Sequence, residues 1–218
     1  MSTETGDIID LLADIEPGSS LDGIRARRLQ ARENAQESYL ALFEPANFGD
    51  VAAAERYAIA AFVAGVHDER TAAGFYLAKL AKASDQRELV DAIKAEIERG
   101  KTKGPYGAFP AGPLSAEGRA GPIYSVAGDR KAVFGAKLTA ALEHAHLLVF
   151  RPRDATPADM QALLDAGWSS TAIVTLSQLV AFLSFQVRSV AGLRTLGASL
   201  GQISAVAARA SQGAIDHE

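Results

Sequence analysis

The chain has 218 residues, 22 basic against 26 acidic, and no cysteine. Disulfides, thiolate metal sites and thiol nucleophiles are therefore excluded, and the net charge of −4 gives nucleic-acid binding little support beyond the group Arg25, Arg27, Arg28 and Arg32. Hydrophobic residues make up 48% of the chain, ample for a packed core, and alanine is common while β-branched and aromatic residues are sparse, so helix is the default expectation.

The opening MSTETGDIID has neither the basic segment nor the apolar core of a signal peptide. With the lack of cysteine, this predicts a cytoplasmic protein. Residues 5–15 set Ile8, Ile9, Leu11, Leu12 and Ile15 among acids, an amphipathic helix stopped by Pro17 and Gly18. Ser20 is placed to cap a helix running to about Phe43. After a loop at 44–49, Asp50 is placed to cap a helix over about 51–66, with Gly65 as its end or kink. Helices over about 68–83 and 85–99 follow.

Residues 100–128, GKTKGPYGAFPAGPLSAEGRAGPIYSVAG, are too dense in glycine and proline for any regular element. A long structureless stretch inside a compact domain is usually functional or disordered. Tyr106, Phe109, Leu114, Ile123 and Tyr124 give it side chains to bury, which predicts an ordered wrap. The composition also fits a floppy connector between two half-domains.

A helix over about 129–149 carries Val133, Phe134, Leu138, Leu142, Ala145, Leu148 and Val149 at helical spacing. Thr156-Pro157-Ala158-Asp159 is a helix start with a cap, a proline at the first position and an acid on the dipole. Gly167 is expected to close that helix in the left-handed region, and Ser169 or Ser170 to cap the next. Ile173, Leu176, Val180, Leu183, Val187 and Val190 then form a seam at alternating spacings of three and four. Ala172, Leu179, Phe182 and Phe185 widen it, predicting a central helix. Gln178, Gln186 and Arg188 interrupt the apolar run of about 172–187, which predicts a core helix and not a membrane span. A weaker alanine-rich helix is expected over about 199–212. No repeat and no strand is predicted.

The pattern T-P-x-D-x-x-x-L-x-x-A-G-W-S at 156–169, followed by I-V-x-L-x-x-x-V-A-F-x-x-F-x-x-R ending at Arg188, resembles the carboxymuconolactone decarboxylase and alkylhydroperoxidase D (AhpD-like) superfamily, in its peroxidase-related branch. The stretch Ala54-Glu55-Arg56-Tyr57-Ala58-Ile59-Ala60-Ala61-Phe62-Val63-Ala64 is similar to the helix preceding that family's active site. Together these cover about half the chain. The branch commonly places Asn-Arg after a phenylalanine of the last helix; here Phe185-Gln186-Val187-Arg188 stands instead. The resemblance implies an all-α, AhpD-like helical bundle with a long Gly/Pro-rich loop. It implies one domain over 1–218, comprising a helical extension at 1–45, helical parts at 50–99 and 129–212, and the wrap at 100–128. It also implies a homo-oligomer, a dimer or higher.

Peroxidase members carry Cys-x-x-Cys-x-x-x-His after the glutamate helix, and their chemistry needs an activated thiolate with a resolving partner. The corresponding stretch here is Val66-His67-Asp68-Glu69-Arg70-Thr71-Ala72-Ala73-Gly74-Phe75-Tyr76. Counted from Glu55, His67 stands at the first cysteine and Arg70 at the second. Counted from Tyr57, these become Glu69 and Ala72, with Tyr76 at the histidine. Neither register supplies sulfur, so cysteine-dependent peroxidase chemistry is excluded.

Glu55, His67, Tyr76 and Arg188 are the candidate catalytic residues, as proton relay and anion holder. Acid–base chemistry of a decarboxylase or isomerase kind, on a small organic acid, lactone or peroxide-derived molecule, is one expectation. The other is a catalytically inactive structural or regulatory subunit, paired with a cysteine-bearing relative. The cluster His67 to Arg70 also fits a solvated helix start with acids on its dipole. Arg188 in an apolar helix needs a carboxylate or must reach solvent, and Glu55 is the expected partner. His144 and His146, two apart, cannot share a helix face, and no His-x-x-x-His or Glu-x-x-His pattern accompanies them. No metal, cofactor, nucleic-acid or membrane partner is expected.

Overall fold

A computed structural model describes residues 6–215, with side chains to residue 202. Among the described residues the chain is all-helical. The only strand-like feature among the described residues is an isolated antiparallel bridge between Gly107 and Arg119. The helices are α1 (Ile8–Ala13), α2 (Ser20–Ala26), α3 (Leu29–Phe43), α4 (Ala53–Val66), α5 (Arg70–Ala83), α6 (Arg87–Gly100), α7 (Lys131–Phe150), α8 (Pro157–Asp165) and α9 (Ser170–Ile215), with short 3-10 turns between α6 and α8. The chain divides into two compact units: residues 1–37 with 188–218, and residues 38–187.

In the first unit, the Asp7 carboxylate caps α1 by accepting from the N–H groups of Ile9 and Asp10. The cap of α2 is Ser19, one residue before the expected Ser20. The helix predicted to run unbroken to Phe43 is interrupted at Arg27 and Arg28, so α2 and α3 are separate. Half of the basic group falls into an ion-pair network. Arg25 bonds Asp7 at 2.7 Å and also Asp10, and Arg32 bonds Asp22 at 2.8 Å and also Asp10. Two of its four arginines are thus neutralised locally.

The second unit is built around α4. All residues from Arg56 to Val66 are buried, as expected of a helix apolar on every side. It packs against α5, α6 and α7. Gly65 neither ends nor kinks α4. It is the point of close approach to α6, where an added Cβ would lie 2.5 Å from Ile97. Asp50 does not cap α4: its carboxylate accepts from Ser169 Oγ at 2.7 Å, while the Glu55 carboxylate takes the Ala52 N–H at 2.8 Å.

Helix α7 carries a break at Gly135, which sits at φ 68. Helix α8 begins as expected, with the Asp159 carboxylate accepting from both the N–H and the hydroxyl of Thr156. It ends as expected at Gly167, φ +96, with Trp168 N–H donating to Leu163 O and Gly167 N–H to Leu164 O.

Helix α9 continues to Ile215 without the predicted separation of its tail. Leu176, Leu179, Val180, Leu183 and Val187 of the predicted seam and its flank are buried. Val174 and Phe185 are 57% and 49% exposed, so α4, not α9, is the helix enclosed on all sides. From Ser170 to Gln202, α9 is apolar and long enough to cross a membrane by length and composition, yet 44% of its most apolar window is buried within the protein.

The Gly/Pro-rich stretch is an ordered wrap. Tyr106 N–H donates to Phe150 O at 2.6 Å, the Tyr106 ring covers Gly121 so closely that a Cβ there would lie 2.6 Å away, and Val126 is buried. Leu114 and Ile123, expected to bury themselves, are instead exposed. The anchors are polar: Glu96 of α6 is fully buried and accepts from Tyr124 Oη (2.5 Å), Arg130 Nη1 (2.8 Å), Arg99 Nη1 (2.6 Å) and Ala127 N (3.4 Å).

Candidate functional site

The α4–α5 junction positions the central part of the expected site. Helix α4 ends at Val66, His67 is its C-cap, and Asp68 turns the chain at φ 57. Glu69 N–H donates to Ala64 O and Asp68 N–H to Gly65 O, the same two-bond ending seen at Gly167 but with aspartate in the left-handed position. Glu69 then caps α5 by accepting from Ala72 N–H at 2.5 Å.

His67 is half-buried, with Nε2 3.3 Å from Ser184 Oγ of α9. Tyr76, fully buried on α5, donates its hydroxyl to Gln186 Oε1 at 2.7 Å. Burial pushes the Tyr76 phenol well above its usual range, so it remains a proton-bearing donor and cannot serve as a base near neutral pH. The space around it is filled: Phe43 lies 5.1 Å from the Tyr76 ring, 5.6 Å from Tyr57 and 6.5 Å from Phe182. Five side-chain polar atoms described in this unit are buried without a hydrogen-bond partner, among them Gln186 Nε2 and Tyr39 Oη.

Glu55 is elsewhere. It stands in the first turn of α4, and with a rise of about 1.5 Å per residue it is roughly 18 Å along the helix from His67. Its carboxylate is engaged by Lys137 Nζ at 3.0 Å and by the helix N-terminus. Lys137 is itself held by Asp50 O at 2.6 Å and lies 5.0 Å from the Trp168 ring centroid, while Trp168 Nε1–H donates to Lys137 O at 2.8 Å. The carboxylate partner of this cation is Glu55, the residue expected to pair with Arg188. Arg188 is exposed on α9 and belongs to the first unit. The fold thus draws His67 and Tyr76 toward neighbouring turns of α9, at Ser184 and Gln186, and leaves Glu55 out.

The cluster at the start of α5 opens on a surface cleft of about 400 Å³ lined by Gly65, Asp68, Glu69, Arg70, Lys94 and Lys101 among others. Asp68 and Lys101 pair across it at 3.3 Å. The start of α5 thus borders a shallow surface groove. Among the described residues, no three His, Asp or Glu side chains gather as a metal site. His144 and His146 are both buried. His146 Nε2 lies 2.9 Å from Gly100 O; a carbonyl only accepts, so that nitrogen carries the proton. Burial lowers the pKa of both histidines.

Sequence reasoning passed over Arg56. It is buried on α4 with no carboxylate, donating to Val51 O (2.9 Å), Leu42 O (2.6 Å) and Phe48 O (2.7 Å). Burial lowers its pKa, but an arginine remains charged. Its role is to close the carbonyl ends of α3 and the following loop. The readable signal was a lone charge heading an eleven-residue buried run. Glu96 carried a similar signal, lying on the buried stripe Leu89, Ala92, Ile93, Ile97 and Gly100 of α6.

No family model, curated protein or solved structure matches the chain.

Proposed function

We propose that the chain is a cysteine-free protein of the carboxymuconolactone decarboxylase/AhpD-like kind whose inherited catalytic position has become packed core, and that it works by binding and not by turnover. One observation carries this reading. The residues that would form a proton relay are dispersed, with Glu55 bound to Lys137 about 18 Å along α4 from His67, and Tyr76 sealed among aromatic rings. General acid–base catalysis needs its groups within hydrogen-bond reach of one reacting atom.

The partners in this reading are a second copy of the chain and a cysteine-bearing relative. The exposed face of α9 supports self-association: Val174, Gln178, Ala181 and Phe185 recur at spacings of four, three and four on one exposed stripe, the spacing of a helix-packing seam. Cytoplasmic residence is supported by the use of the opposite face of α9 as protein core, including the buried Gln186.

Light scattering on the purified protein is expected to give a dimer or larger, and Phe185→Asp to give a monomer with unchanged helical circular dichroism. A monomeric parent would overturn self-association. Peroxide with a thiol reductant is expected to give no turnover, and thiol-dependent reduction would overturn the whole reading.

A second reading retains residual acid–base chemistry on a small organic acid or lactone. It is favoured by His67, half-buried and bonded to Ser184 next to the Asp68–Lys101 cleft. A decarboxylase or isomerase activity abolished by His67→Gln would establish it over the first.

A further inference from the structure

We infer that the protein holds a compact monocarboxylate in a cavity between the wrap, α7 and α8, away from the residues discussed above. The cavity measures about 190 Å³, and its lining includes Ile123 and Tyr124 of the wrap, His144 and Arg151 at the end of α7, and Asp159 and Leu163 of α8. For scale, an apolar cavity of about 150 Å³ accommodates benzene. The space therefore suits an acid between propionate and benzoate in size.

Three observations point to an oxygen-bearing ligand. First, His144 is only 4% exposed, and its Nε2 has no hydrogen-bond partner. Second, Arg151 Nε is also buried and unpartnered, although the same guanidinium reaches Asp154 through Nη1 at 3.3 Å. An Arg Nε always bears hydrogen, so an acceptor is required there. Leaving a buried polar group unpaired is costly, and both groups belong to residues that line one cavity, where a small side-chain rotation would bring Arg151 Nε–H, and His144 Nε2 in its protonated tautomer, onto a shared acceptor. Third, Ile123 is 83% exposed although it lines the cavity. A large aliphatic side chain presented there without protein packing gives a ligand's carbon body something to touch.

The charges around the cavity narrow the ligand further. Asp159 and Glu143 also line it, but each is already engaged. Asp159 accepts from Thr156 N–H and Oγ, and Glu143 accepts from Val126 N–H at 3.0 Å with Lys131 Nζ 3.9 Å away. A single carboxylate facing Arg151 and His144 fits this balance, whereas a dianion would meet both acids. Binding would replace two unmade hydrogen bonds with charge-assisted ones and cover Ile123. The wrap thereby gains a purpose, since it supplies one wall.

The test is calorimetric titration of the full chain with propionate, lactate and benzoate, alongside chloride and inorganic phosphate. One-to-one binding of at least one carboxylate is expected, with a dissociation constant in the millimolar range or tighter. Arg151→Gln and His144→Phe are each expected to weaken it at least tenfold, while His144→Gln, which keeps a donor of similar reach, stays within about threefold. Lys101→Ala in the distant cleft should leave it unchanged. Circular dichroism checks that each variant is folded. Absence of heat with every carboxylate would overturn the proposal. So would equal binding of chloride, or binding indifferent to both Arg151→Gln and His144→Phe in folded protein. The outcome is independent of self-association, which light scattering reads separately.

Discussion

Glu96 and His144 lie on opposite terms with the same wrap. Glu96 is fully buried, and its carboxylate receives four donors from Tyr124, Arg130, Arg99 and Ala127. His144 is almost as deeply buried, and its Nε2 receives and gives nothing. A saturated buried charge serves architecture: it fixes a glycine-rich segment that has few large side chains to bury. An unsaturated buried polar group beside a cavity stabilises nothing by itself and is available to a ligand. Buried polarity is thus not one signal but two, separated by counting partners.

The sharpest way to break this comparison is to remove the saturated member. Glu96→Ala is expected to destabilise the protein by about 3–5 kcal/mol, because it strands the Tyr124 hydroxyl and separates two arginines from their common carboxylate. Denaturant unfolding reads the loss. Limited proteolysis should show cleavage within residues 101–127, which the parent resists. A loss below about 1 kcal/mol with an intact wrap would mean that aromatic packing alone, such as Tyr124 on His146 at 4.6 Å, holds the segment.

Acid separates the two regions without mutation. Burial pushes the Glu96 carboxyl up, but the bonds from Tyr124 and Arg130 and the charge of Arg99 outweigh it, and the net pKa lies below the ordinary 4.5. A depressed folded pKa means that the unfolded chain binds the proton more readily. Its contribution is therefore complete above 4.5 and is lost as pH falls through the lower folded value. His144 and His146 are depressed by burial from 6.5, so their contribution is complete above 6.5 and declines as pH drops below it. Stability measured from pH 8 to pH 3 is expected to fall first below 6.5 and then below 4.5. His144→Phe should shrink only the first decline.

Much of this architecture was legible in the chain. The caps at Thr156–Asp159, Gly167 and Ser169 declared themselves because capping is local chemistry. The seam of α9 followed from its period. The helix predicted over about 51–66 already places Glu55 and His67 at its opposite ends, as α4 does. What failed was reach. The pairing of Glu55 with Lys137, 82 residues away, could not be read locally: partner choice is tertiary. The wrap's order was anticipated from its aromatics, but its anchors were misjudged. Leu114 and Ile123 are apolar yet exposed, while Glu96 is charged yet fully buried. Glu96 stands on the same face as Leu89 and Ile93, the one place where a carboxylate must bring its partners with it.

Removing the unsaturated member tests the other half of the comparison. With no ligand present, His144→Leu is expected to change stability by less than about 1 kcal/mol, since no hydrogen bond of Nε2 is lost and an unpaired polar group is replaced by hydrocarbon. Thermal and denaturant unfolding check this. A loss of 3 kcal/mol or more would show that His144 is structural, and the contrast with Glu96 would disappear.

The smallest effect concerns strain and not partners. Helices α4 and α8 end in the same two-bond geometry, one with Asp68 at φ 57 and the other with Gly167 at φ +96. Glycine occupies that region freely, and an aspartate does so at a cost. Asp68→Gly removes the strain, gives up an exposed ion pair with Lys101 at 3.3 Å that contributes little, and adds backbone freedom to the unfolded chain. The balance favours a gain of about 0.5 kcal/mol, against a loss of about 1 kcal/mol for Gly167→Ala. Both are readable from denaturation midpoints at constant slope. If Asp68→Gly instead lowers stability, the Asp68–Lys101 contact across the cleft contributes more to the fold than its exposure suggests, and it joins Glu96 on the side of architecture.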